Sequence, residues 1–209
     1  MPFTHACFIS FSSDAGPATK FATLFYEELK SQLSYLDKTL SIFKYDQSGH
    51  VRDNDDWQLW ILPQLHQSAL MITIASPTYF KSAETCLKEF RCMQALARHR
   101  SQLLQNNPAE NEWIIGIRIC AEHEMPELNQ NYAIWDFPGC RPSPSAVRQQ
   151  RHRRTVEIIS DLIFQRCKNM QARVAQLQVP KEQLEQAIEP IMIDLDTPDA
   201  FPSWTGVKP

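Results

Sequence analysis

The chain alternates short apolar runs with amphipathic helical patterns, and this alternation restricts its fold more than any other feature. The first run, Ala6–Phe11, is rich in residues that favour strands and stops at a polar turn. Pro17 suits the first turn of a helix. The apolar residues that follow recur every three or four positions and predict one buried helical stripe: Phe21, Leu24, Phe25, Leu29, Leu33 and Leu36. Together these segments predict the opening of a βα unit.

The same order continues along the chain. Further strands are predicted at Thr39–Tyr45, Ala69–Ala75, Trp113–Ile119 and Ala133–Phe137. Helices are predicted after Asp55 or Asp56, from about Ala83 to Leu104, and from Thr155. The first of these three should carry Trp57, Trp60, Ile61 and Leu65 on one side, and Pro63 should kink or end it. Strands separated by helices imply right-handed crossovers. We therefore predict an α/β, flavodoxin-like fold, with a parallel five-stranded sheet and helices on both faces.

The composition changes towards the C-terminus. The helix from Thr155 carries enough apolar surface to close the domain, but the chain beyond about Lys168 is polar. A second helix is possible near Pro180–Ile188, and Asp194–Pro209 is rich in proline. We predict a domain over residues 1–167 and a helical extension with a proline-containing tail over residues 168–209. The extension is a candidate site for an activating partner.

Composition excludes several classes of function. The 21 Lys and Arg residues are outnumbered by 24 Asp and Glu residues, which argues against a nucleic acid partner. No apolar run approaches the roughly 20 residues of a membrane span, and the N-terminus does not resemble a secretory signal. The six cysteines contain no CxxC pair and indicate reduced thiols, so we expect a cytoplasmic protein. Cys120 and His123 have no second close pair, and we expect no metal site.

One carboxylate lies on the buried side of the helix predicted near residues 84–98. A helical wheel groups five apolar residues on one side, namely Cys86, Phe90, Met93, Leu96 and Ala97. Glu89 falls inside this apolar arc, whereas Glu84, Lys88, Arg91 and Arg98 lie opposite. A buried carboxylate is unfavourable unless it is paired or hydrogen-bonded. Glu89 is therefore either a satisfied structural group or part of a site at the carboxyl ends of the strands.

Three segments together resemble the Toll/interleukin-1 receptor (TIR) domain family. The run from Phe8 to Asp14 is similar to the family's first box, and the polar loop Asp46–Asp56 stands where the family has its BB loop. Ser76-Pro77-Thr78-Tyr79-Phe80, Ser82 and Cys86-x-x-Glu89 resemble the S-P-x-Y-x-x-S…C-x-x-E signature. The resemblance covers roughly residues 4–140 and most of the closing helix.

The resemblance implies a function that the residues alone do not show. Many members of the family cleave NAD⁺ at the nicotinamide glycosidic bond, and the glutamate of the C-x-x-E position, here Glu89, is the residue on which activity depends. NAD⁺ would be the substrate, and no cofactor is implied. The candidate substrate-binding residues are Phe11, Ser12, Ser13, Asp14, Tyr79 and Cys86. Tyr79 and Phe80 could stack on a base or simply belong to the core.

In catalytic members a neighbouring protomer's BB loop commonly completes the site, so self-association activates the enzyme. Candidate assembly residues here are Gly49, His50, Arg52 and Trp57. The resemblance therefore implies an NAD⁺ hydrolase (NADase) that releases nicotinamide and linear or cyclised ADP-ribose, acting as an immune or antiphage effector.

Other functions are open at this stage. The main alternative is a non-catalytic TIR module that signals by TIR–TIR association, with Glu89 as a structural residue. A deoxyribosyltransferase-like enzyme would share the architecture and the glutamate chemistry but not the serine-rich boxes. A phosphoreceiver needs an aspartate at the end of the third strand, which the sequence lacks. The chain also departs from the family pattern in two places. Thr85 stands where a tryptophan is frequent, and the polar loop has Arg52-Asp53-Asn54 shortly before the helix, where the family usually has a glycine.

Overall fold

A computed structural model describes residues 2–12, 17–45, 60–76, 78–79, 84–105, 113–119, 133–137 and 150–185. The strands are β1 (His5–Phe11), β2 (Ile42–Lys44), β3 (Ser68–Ala75), β4 (Ile114–Arg118) and β5 (Ala133–Asp136). The helices are α1 (Pro17–Leu36), α2 (Leu62–His66), α3 (Glu84–Leu103), α4 (Gln150–Leu177) and α5 (Lys181–Glu185). None of these described helices combines the length and the apolar character that crossing a membrane requires.

The five strands form one parallel sheet in the order β2-β1-β3-β4-β5. Helix α1 packs against α4 on one face, and α2 packs against α3 on the other. Cys7 of β1 faces Cys167 of α4, whereas Ser10, which points the opposite way from the same strand, reaches α3. This architecture confirms the predicted α/β, flavodoxin-like fold.

The core lies along the two central strands. All eight residues of β3 are buried, as expected of a strand covered by helices on both faces. Ser10 of β1 is paired with Thr73 of β3, so both side chains lie on the α3 face of the sheet. This register places the end of β1 beside the end of β3, where the candidate site lies.

Two local predictions need correction, the start of β2 and the side of the helix on which Trp60 lies. Strand β2 begins at Ile42 and not at Thr39, because the Asp37 carboxylate accepts hydrogen bonds from the backbone N–H and the hydroxyl of Thr39 and holds a turn. Pro63 lies in the first turn of α2, directly after a π-helical turn at Trp60 and Ile61, and the residues before Trp60 lie outside the described ones. That Pro63 kinks or ends a helix therefore stays a prediction. Trp60 is 61% exposed and does not share the buried side of Ile61.

The C-terminal part of the described chain returns to the core. Helix α4 continues to Leu177, so the predicted boundary at 167/168 falls within a continuous helix. Residues 168–185, called here the C-terminal strap, start at an ion pair of 3.3 Å between Lys168 and Asp37. The strap then reaches the end of α3, where Arg173 Nε donates to the Leu104 carbonyl over 3.0 Å. Leu184 in α5 is fully buried. The tail from residue 186 lies outside the described residues.

Candidate functional site

Ser10 and Glu89 meet between the end of β1 and the start of α3. The strand alternation turns the Ser10 side chain towards α3, where its hydroxyl donates to Glu89 Oε2 over 2.5 Å. Ser10 is 1% exposed and Glu89 is 5% exposed. The predicted apolar arc of α3 is confirmed, since Glu89 is buried among the five apolar residues that the helical wheel placed beside it.

Tyr79 closes the site from the other side of Ser10. Its backbone N–H donates to the Ser76 carbonyl over 3.1 Å, in a turn that follows β3 and brings the ring back over the sheet. The Tyr79 hydroxyl lies 2.5 Å from Ser10 Oγ and 3.3 Å from the Cys86 carbonyl oxygen. The ring is fully buried, so in this structure it belongs to the core and presents no surface for stacking on a base.

Cys86 fixes the first turn of α3 to the sheet. Its thiol donates to the carbonyl of Phe11, the last residue of β1, over 3.3 Å. Glu89 lies three residues further along, on the same side of the helix. The thiol is buried and engaged with the backbone, which makes Cys86 a packing residue that sets the position of Glu89.

Burial dominates the electrostatics of the carboxyl group. The loss of hydration raises the pKa of Glu89 to about 8, and the hydrogen bond from Ser10 opposes this shift. No Lys, Arg or His of the described segments forms an ion pair with Glu89. Burial, then the neighbouring Cys86 and Glu89, also raise the pKa of Tyr79 well above its ordinary value, so Tyr79 is a neutral donor. Glu89 is therefore a mostly protonated acid at neutral pH that a nearby positive charge would ionise.

A second group of hydroxyls lies at the same edge of the sheet. Thr78 Oγ1 donates to Ser12 Oγ over 3.3 Å and lies 3.1 Å from Ser76 Oγ. These residues join the end of β1 to the turn after β3, and Thr78 is exposed. Hydroxyl groups of this kind can both donate to and accept from the hydroxyls of a sugar.

The structure brings together four of the predicted site residues, Phe11, Tyr79, Cys86 and Glu89, and places Ser12 beside them. The others lie outside the described residues, namely Ser13, Asp14, Gly49, His50, Arg52, Trp57 and Phe80.

Sequence reasoning missed two buried polar residues. Ser10 gave a signal, because it is a hydroxyl residue within an otherwise apolar strand. Arg100 also gave one, because a wheel places it about 40° from Cys86, inside the buried arc of α3. Its guanidinium donates to the carbonyls of His66 and Ser68 at the start of β3, at the opposite edge of the sheet from Glu89. Arg100 is therefore a structural residue.

In the described segments, no group of three or more His, Cys, Asp or Glu side chains could hold a metal ion. Comparisons with family models, with curated proteins and with solved structures find no match to this chain.

Proposed function

We propose that this chain is a TIR-domain NAD⁺ hydrolase in which Glu89 is the catalytic residue. The observation that carries the proposal is a carboxyl group buried at the carboxyl ends of the strands, hydrogen-bonded by Ser10 and without a cationic partner among the described residues. An acid in this state is unfavourable for folding, and groups with strongly shifted pKa values concentrate at functional sites. The resemblance of the C-x-x-E segment supports the same assignment.

The chemistry suits such a group. Cleavage of the nicotinamide glycosidic bond passes through an oxocarbenium-like state, which a carboxylate in a partly desolvated site stabilises. Nicotinamide leaves as a neutral molecule and needs no proton from the enzyme. The positive charge of the bound nicotinamide ring would favour ionisation of Glu89, so binding would release a proton. The hydroxyls of Ser12 and Thr78 are candidates to bond the ribose.

The proposal includes self-association, in which the loop Asp46–Asp56 of a second copy completes the site. Activity per molecule should then rise with protein concentration. The alternative, a non-catalytic interaction module, would keep Glu89 as a structural residue.

The test incubates concentrated protein with NAD⁺ and measures released nicotinamide. We expect Glu89→Ala and Glu89→Gln to lower the rate at least about 100-fold, as loss of a principal electrostatic stabiliser does. Glu157→Ala, which changes an exposed carboxylate on α4, is the matched control and should keep the wild-type rate.

The outcomes separate the two candidate functions. Circular dichroism would show that the Glu89 variants stay folded. Cleavage that survives both Glu89 substitutions would overturn the site assignment. Absence of nicotinamide from the wild-type protein at every concentration, and with crowding agents, would favour the interaction module.

A further inference from the structure

The Ser10 hydroxyl lies between two oxygen atoms and has a single proton to give. Glu89 Oε2 and Tyr79 Oη each lie 2.5 Å from Ser10 Oγ. An ionised carboxylate only accepts hydrogen bonds, so the Ser10 proton is directed at Glu89 in that state. The bond between the two hydroxyls then requires Tyr79 to donate to Ser10. The three groups form a chain that runs from Tyr79 through Ser10 to Glu89.

The fold holds Tyr79 in the position that this chain requires. The ring is fully buried, and the backbone bond to Ser76 anchors the turn that carries it. Two other acceptors lie near the Tyr79 hydroxyl: the Cys86 carbonyl at 3.3 Å, which is farther away than Ser10 Oγ, and the hydroxyl of Thr73, which lies beside Ser10 on the same face of the sheet. The phenol also stays neutral and keeps its proton, because burial disfavours the phenolate.

We propose that Ser10 is the positioning residue for Glu89, and that Tyr79 keeps the Ser10 hydroxyl directed at the carboxyl group. This role rests on the proposed function, because the reaction in which Glu89 acts is the proposed cleavage of NAD⁺. Ser10 holds Oε2, whereas Oε1 has no hydrogen-bond partner among the described residues. Oε1 is therefore the oxygen available to a sugar that develops positive charge.

The arrangement predicts a measurable effect on acidity. A hydrogen bond donated to the ionised form of a carboxyl group stabilises that form, and hydrogen bonds in a chain strengthen one another. Loss of the Ser10 hydroxyl should therefore raise the titration midpoint of Glu89, and loss of the Tyr79 hydroxyl should raise it less. Both changes would leave a smaller fraction of ionised Glu89 at neutral pH.

The experiment follows the titration of Glu89 by NMR in protein labelled with carbon-13 at the glutamate carboxyl carbon, and Glu89→Gln identifies the signal. We expect Ser10→Ala to raise the midpoint by about one pH unit or more, a tenfold change in proton affinity. Tyr79→Phe should give a smaller increase, and Ser10→Thr should restore a midpoint close to that of the wild type. Ser160→Ala is the matched control, since Ser160 is equally buried but donates to Val156 in α4.

The titration needs no substrate, so its result does not depend on whether the protein cleaves NAD⁺. An unchanged midpoint in Ser10→Ala, or in Tyr79→Phe should the alanine variant not fold, would overturn the positioning role. If the wild type cleaves NAD⁺, the pH profile of kcat/KM should move with the midpoint in each variant. A loss of activity that is equal at all pH values would indicate a merely structural role and count against the proposal.

Discussion

Folding removes the carboxyl group of Glu89 from water and gives it one hydrogen bond, from Ser10, among the described residues. The pKa is about 8 in the folded chain and 4.5 for an ordinary glutamate. Below about pH 4.5 both the folded and the unfolded chain hold the proton. Between the two values only the folded chain holds it, so unfolding releases a proton and stability falls as the pH rises.

This linkage can be measured by comparing the wild type with Glu89→Gln, because glutamine accepts the Ser10 hydrogen bond but does not ionise. We expect the free energy of unfolding of the wild type, relative to the variant, to fall by about 1 kcal/mol per pH unit between pH 4.5 and 8. Urea unfolding at several pH values checks this. A difference that stays constant with pH would mean that Glu89 titrates normally.

Helix α3 carries one buried polar residue near each end of the central strands. Glu89 lies at the carboxyl ends of the strands, while Arg100 lies at the start of β3. The Arg100 guanidinium donates to the Ser68 carbonyl over 2.9 Å and to the His66 carbonyl over 2.7 Å. It also lies 4.5 Å from the centre of the Phe3 ring. Arg100 therefore fixes the far end of the same helix that positions Glu89.

Removal of this buried guanidinium should destabilise the chain. Arg100→Met keeps most of the side-chain volume but removes the two guanidinium hydrogen bonds to the carbonyls of His66 and Ser68, and we expect a loss of about 3 kcal/mol. Arg154→Met, at an exposed position of α4, is the control and should change stability little. Urea unfolding measures both. A stability of Arg100→Met equal to that of the control would show that these hydrogen bonds contribute little.

The C-terminal strap links the two helical layers of the molecule. It starts beside α1 at Lys168 and ends beside α3, where His99 Nε2 lies 3.1 Å from the carbonyl of Gln183. The division of the chain at residue 167 stays a prediction. In the structure, the residues up to Leu184 add to the same hydrophobic core as the sheet.

Leu184→Ala tests this contribution. We expect it to lower the free energy of unfolding by about 2–5 kcal/mol, the range for a buried leucine. Ile158→Ala, which shortens a side chain that is 44% exposed, should have a much smaller effect. Thermal and urea unfolding provide the comparison. Equal effects of the two substitutions would show that the strap does not stabilise the domain.

Local periodicity was enough to predict much of this molecule. Apolar runs and helical stripes identified β1, β3, α1 and α3, because burial of one face or both faces leaves a repeating pattern in neighbouring residues. The same pattern predicted the burial of Glu89. Its hydrogen-bond partner could not be predicted, since Ser10 is 79 residues away and meets it only through the packing of α3 on the sheet.

Contacts between distant segments depend on sheet register and on helix packing, which no short window of residues encodes. The register that pairs Ser10 with Thr73 turns both towards α3, and the turn at Ser76 then brings Tyr79 over them. The return of the strap to α3 has the same origin. Its polar composition suggested an extension, but Leu184 is buried because α5 packs against α3. Residue patterns specified the buried faces of most strands and helices. The three-dimensional packing specified which side chains meet there, and it also buried Leu184 and left Trp60 exposed.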